Sequence, residues 1–148
     1  MGLDMYLYAD RYVSSYFHEG DDEKAETIKK LFPELKIGEI KNIRVEVAYW
    51  RKANAIHNWF VKNVQEGVDD CGNYYVSRDK LKELIALIEE VLTNKKSASK
   101  NLPTAAGFFF GSTDIDDYYF EDLKYSLDTL KEVAKLPDSL ELYYHSSW

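Results

Sequence analysis

Three stretches of this chain alternate apolar and polar residues with a period of two, and that alternation limits the fold more than any other feature. Leu3, Met5, Leu7 and Ala9 alternate with Asp4, Tyr6, Tyr8 and Asp10. Ile43, Val45 and Val47 alternate with Asn42, Arg44 and Glu46, and Leu140, Leu142 and Tyr144 with Glu141, Tyr143 and His145. A strand of this pattern buries one face and wets the other. A doubly wound parallel sheet, covered on both sides, needs strands that are apolar throughout. Helical spacing fills the gaps between the strands. Asp21, Asp22 and Glu23 precede Ala25, Ile28 and Phe32, with Pro33 closing the helix. Tyr74 to Val76 is a short β-like run, Ser77 is a good N-cap for Leu81, Leu84, Ile88 and Val91, and Phe120, Leu123, Leu127 and Leu130 form a stripe that ends before Pro137. The expected fold class is α+β, a small mainly antiparallel sheet with about four helices packed on one face. The expected order is β-α-β-α-α-(short β)-α-β over a single domain, residues 1–148.

Two segments resist periodic reading. Thr93 to Thr104 holds three lysines, two serines and Pro103 and reads as the most mobile connection. Phe108, Phe109 and Phe110 between glycines cannot all lie on one face of a strand. They form either a short element covered on both sides or one that offers a ring to a partner.

The stretch from Tyr49 to Arg78 carries the densest candidate chemistry. On a helix, Trp50, Ala53, Ile56, His57, Phe60, Val61 and Val64 share one side, with Asn54 at its rim, while Trp59 points away and needs a second packing surface. An imidazole inside an apolar arc must be hydrogen-bonded or it costs on the order of 1–3 kcal/mol. Two readings meet that demand: a core histidine satisfied by a carbonyl or a tyrosine hydroxyl, and a histidine lining a pocket reached from outside. The expectation adopted is the second.

Other chemistries fit poorly. Cys71 follows Asp69 and Asp70, whose charge opposes the thiolate a nucleophile needs, so a Cys71–His57 pair is disfavoured. One cysteine supports no disulfide framework and suits a reducing, cytoplasmic setting. Asp114, Asp116 and Asp117 lack the glycine and further oxygen ligands of a calcium loop and read better as cap and first-turn acids. They also repel phosphate from that helix start, leaving Arg44, Arg51, Lys52 or Arg78 to meet an anion. Phosphate-loop, dinucleotide, serine-hydrolase and zincin fingerprints are absent, so no catalytic residue, metal or cofactor is assigned. The net charge of −7 opposes extended nucleic acid and anionic membranes as partners.

The segments MGLDMYL, EVAYWRKANAIHNWF, DDCGNYYVSR, LPTAAGFFFGSTDIDDYYFEDL and SSW together resemble a family of small proteins encoded by bacteriophages and prophages. The likeness spans nearly the whole chain. It implies a phage-related origin and a host-cytoplasm setting, and it carries no activity to transfer. The polar and aromatic residues of these segments nominate a ligand site: Tyr49, Arg51, Asn54, His57, Asp70, Tyr74, Phe110, Asp114 and Tyr118. The first functional reading is a non-enzymatic module for a small polar or nucleotide-like ligand. The alternatives are a module that inhibits a host protein through Trp59, Phe108 to Phe110 and Tyr143 to Trp148, and a small hydrolase or transferase with His57 as general base beside Asp70 or Asp114.

Overall fold

The computed structural model describes residues 2–148. Strand β1 (Asp4–Tyr12) lies inside a four-stranded sheet, with β2 (Asn42–Arg51) on one side and β4 (Glu141–Ser147) on the other; β3 (Asn73–Val76) pairs with β4 at the far edge. Every neighbouring pair is antiparallel. Met5, Leu7, Ala48, Trp50, Leu142 and Tyr144 are buried on one face. A bulge pairs Leu7 with Ala48 but Tyr8 with Glu46. The extra residue flips the parity of β2, so its inward positions change from odd to even numbers and Ala48 and Trp50 face the core.

Helices α2 (Asn54–Asn63), α3 (Arg78–Thr93) and α5 (Asp117–Ala134) bury apolar stripes that join the inner face of the sheet in one core. The caps are those the residues favour. Ser77 Oγ accepts from the Lys80 amide at 3.2 Å, and Asp116 Oδ1 accepts from the Tyr119 amide at 3.1 Å. Arg78 donates to the carbonyls of Val133, Pro137 and Leu140, fastening the end of α5 to the approach to β4. That guanidinium is spent on structure and is no anion site.

The architecture is the expected α+β, with particular corrections. The β-like run at Tyr74–Val76 is strand β3, which precedes α3, whereas Phe108 to Phe110 form no strand and lie at a turn. Trp50 belongs to β2 and Ala53 is the residue before α2, because the bulge carries the strand on to Arg51. The Thr93–Thr104 connection is largely helical: a 3-10 turn at Lys95–Ser97 and a short helix α4 (Ala98–Asn101) bury Ala98 and Leu102. Its last residues line a cleft with Trp59, which is buried with its ring at 5.3 Å from Phe60. Trp59 is therefore no exposed anchor. Helix α1 (Asp21–Lys29) stays outside the packed layer. Its one buried residue is Asp21, which accepts from Arg11 at 2.9 Å and from the Ser14 amide. Among the described residues, no helix is long and apolar enough to cross a membrane.

Candidate functional site

His57 stands in the first turn of α2 and points into the core, where it is only 1% exposed. Both ring nitrogens are partnered by the protein itself: Nδ1 lies 2.7 Å from the Tyr144 hydroxyl and Nε2 lies 2.9 Å from Asp69 Oδ2. A carboxylate oxygen can only accept, so Nε2 carries a hydrogen, and in the neutral imidazole Nδ1 then accepts from the Tyr144 O–H. Burial pushes the Tyr144 hydroxyl well above its ordinary pKa, with Asp69 and Cys71 adding to the shift, which keeps that donor in place. The Trp148 indole N–H donates to Asp69 Oδ1 at 3.1 Å, and Phe110 packs edge-on against the imidazole at 5.2 Å. The expectation that His57 is reached from outside is overturned. The arc of apolar neighbours can bury the ring because two polar groups of the chain, the Tyr144 hydroxyl and the Asp69 carboxylate, satisfy its nitrogens. The imidazole's acidic partner is Asp69, and not the Asp70 or Asp114 named for the general-base reading.

One turn away, the start of α2 forms a wall of an open cleft of about 310 Å³, lined by Arg51, Lys52, Asn54, Thr104, Asp114 and Asp122 among others. Ala53 gives the helix no side-chain cap. The amides of Ala55 and Ile56, which line the cleft, meet no acceptor among the described residues. Lys52 adopts a left-handed backbone, φ 59°, to turn the chain from strand to helix. Its amide donates to the Leu3 carbonyl at 2.8 Å. Such a conformation costs a non-glycine residue on the order of 1 kcal/mol, and outliers of this kind gather at functional sites. The 105–112 loop crosses close above. Gly111 has φ 87°, and a Cβ there would sit 3.1 Å from Lys52 Cβ, so glycine meets both demands.

The same lining also carries acid. Asp114, Asp116 and Asp122 come from the start of α5 and the turn before it. Half-buried Asp122 has no hydrogen-bonding or charged partner among the described residues. Burial raises its carboxyl from 3.8 to about 6, with repulsion from Glu121 and Asp116 adding to the shift. Because this value lies above that of the unfolded chain, the folded protein binds the proton more tightly. Carrying the charge costs stability above about pH 6, and the cost fades as the pH falls towards 4. Asp122→Asn is expected to stabilise the protein at pH 8 by about 1 kcal/mol, a figure reduced because the carboxyl still sees water. Thermal melts of the two proteins should converge near pH 4. A gap that persists unchanged at pH 4 would show that the carboxyl's charge is not the cause.

Of the nine nominated residues, Arg51, Asn54, Asp114 and Tyr118 meet in this cleft. Asn54 is not free to read a ligand. Its Nδ2 donates to the carbonyls of Phe110 and Ser112, and its Oδ1 accepts from the Ala105 amide, so it holds the overlying loop. His57 and Phe110 are buried beneath. Asp70 and Tyr74 bond to each other at 2.8 Å in the turn before β3, and Tyr49 bonds to Asp4 on the outer face of the sheet. Those five do not reach the cleft. Sequence reasoning missed Asp122, whose one signal was a carboxylate at the edge of the Phe120–Leu123–Leu127 stripe. Lys52 was considered for an anion but not nominated; its strained φ has no sequence signature. Among the described residues no group of three or more His, Cys, Asp or Glu is placed to hold a metal ion. No family model, curated protein or solved structure matches the chain.

Proposed function

We propose that the protein is a binding module for a small polar ligand that carries an anionic group at one end and hydrogen-bond donors at the other. A nucleotide is the leading class. The observation that carries this reading is the two-signed lining of the cleft, which holds an uncapped helix start, Arg51 and Lys52 together with the unpartnered Asp122 and Asp114. A phosphate fits the start of α2, where free amides and the helix dipole favour negative charge. Base or amine N–H groups fit the carboxylates, and each would relieve the cost of desolvating Asp122. The ring of Tyr118, 77% exposed at the mouth, offers a stacking surface. The volume lies at the small end of the range for ligand pockets, which favours a mononucleotide over a dinucleotide.

A thermal-shift series with nucleoside mono-, di- and triphosphates and cyclic nucleotides tests this. A ligand at a hundred times its Kd stabilises by about 2.7 kcal/mol, which for a chain of this size raises Tm by about 5–10 °C. Lys52→Gly is expected to relieve the backbone strain, so the free protein gains up to about 1 kcal/mol, while the ligand-induced shift shrinks by at least half. No shift with any nucleotide at millimolar concentration would overturn the nucleotide reading. A shift that Lys52→Gly leaves intact would move the site elsewhere.

A further inference from the structure

The other face of the sheet is covered by none of the packed helices, since the apolar stripes of α2, α3 and α5 all join the opposite side. The register builds rows across it. Glu46, Tyr8, Tyr143 and Tyr75 form one row through all four strands, and Tyr49, Tyr6, His145 and Asn73 the next. The rings stand on the sheet and lean on one another. Tyr6 and Tyr8 stack at 5.8 Å with 4° between their planes, and Tyr6 and His145 stack at 5.9 Å. Standing rings leave slots between them and no flat platform, which suits a planar cation better than a sugar ring. One slot is already used in that way. The Arg44 guanidinium lies 4.7 Å from the Tyr8 ring centre and 5.6 Å from that of Tyr143, held by two hydrogen bonds of 2.7 Å to Asp10.

The charge around these rings has one unmet sign. Arg44 is neutralised by Asp10, and Arg51 lies 4.0 Å from Asp4. Glu46 and Glu141 have no basic partner among the described residues, and the chain as a whole carries −7. Phosphate-bearing polymers are repelled by such a surface, whereas cations are drawn to it. Tyr75 at the edge is 58% exposed and leans on Tyr143 with ring centres 5.9 Å apart, so its outer side is open.

We infer that this face is a docking surface for an arginine-bearing basic segment of a partner protein, with guanidinium groups against Tyr75 and Tyr143 and their charge met by Glu46 and Glu141. The surface is separate from the cleft, and the inference stands without the ligand reading. Tyrosine and arginine are the residues that carry most of the energy at protein interfaces. Arginine is preferred to lysine because its plane stacks on a ring and forks onto a carboxylate.

The test titrates the full chain with hexa-arginine and, separately, hexa-lysine at about 150 mM salt, where long-range attraction is screened. Tyrosine ring resonances are followed by NMR. Hexa-arginine is expected to bind about 3- to 5-fold more tightly than hexa-lysine and to shift the rings of Tyr75 and Tyr143. Tyr75→Ala and Glu46→Lys, both at exposed positions, should each weaken it by about 5-fold or more. Glu26→Lys on α1 is a charge-matched control expected to change it less than about 2-fold. Equal affinity for the two peptides with all three variants behaving alike would reduce the effect to bulk charge and overturn the inference. So would ring shifts confined to Tyr118, or no binding of hexa-arginine.

Discussion

Replacing His57 by alanine is expected to lower stability by about 3–5 kcal/mol, because the substitution both opens a cavity and strands polar groups. The imidazole is 1% exposed and stands between the Tyr144 hydroxyl and the Asp69 carboxylate. Without it the Tyr144 O–H loses its acceptor in a fully buried setting, where Phe60 stacks on the tyrosine ring at 4.0 Å and leaves no path for water. Asp69, whose side chain is 25% exposed, can recruit solvent and loses less. Tyr144→Phe separates the contributions. It removes the hydroxyl and no ring volume, so only the unpaired Nδ1 remains to be counted, at about 1–2 kcal/mol. Urea unfolding of both variants and of the double mutant would give the coupling between the groups. A loss below about 1 kcal/mol for His57→Ala would mean that the ring is not holding this part of the core.

Trp50→Ala is expected to cost a similar amount, about 3–5 kcal/mol, for a different reason. The indole is buried at the junction of sheet and helices, with Phe60 on one side at 6.3 Å and Tyr125 on another at 6.4 Å. Its N–H donates to Ser126 Oγ at 2.8 Å, joining β2 to the middle of α5. The Ser126 hydroxyl in turn donates to the Asp122 carbonyl, one turn back on α5 and next to the cleft. Trp50→Phe keeps most of the packing and loses the hydrogen bond. It should cost about 1–2 kcal/mol. If the phenylalanine variant were as unstable as the alanine one, the hydrogen bond and not the ring would be what holds β2 to α5.

Tyr119 shows how a polar group can be read only from its surroundings. It lies in the first turn of α5, and the sequence offers it as an ordinary aromatic on a helix. In the fold its hydroxyl donates to the Leu102 carbonyl at 2.8 Å, and burial pushes its pKa to about 12. That bond is part of what draws the Thr93–Thr104 segment down into a helical cover. Composition made the segment look loose, but Ala98 and Leu102 had a core to enter and Trp59 had a ring to be covered.

The three long alternating strands, the capped helices α3 and α5 and the α+β class were legible from the residues alone, because each follows from a short-range period or a cap that needs no distant partner. The fourth strand was legible only as a short β-like run at Tyr74–Val76, because four residues are too few to show a period. The start of α2 was misplaced because a bulge in β2 shifts the parity by one, and a bulge is a property of the pairing with β1. The candidate site divides in the same way. Arg51, Asn54, Asp114 and Tyr118 could be nominated as polar and aromatic residues near helix starts, but sequence spacing does not say which of them share a wall. Whether His57 faced water or a tyrosine was settled 87 positions away in the chain, at Tyr144. Local chemistry thus determined the elements and their ends. The placing of one element against another decided which polar groups were consumed by the fold and which, like Lys52 and Asp122, were left facing an open space, because hydrogen bonding and desolvation depend on neighbours that only the folded chain brings together.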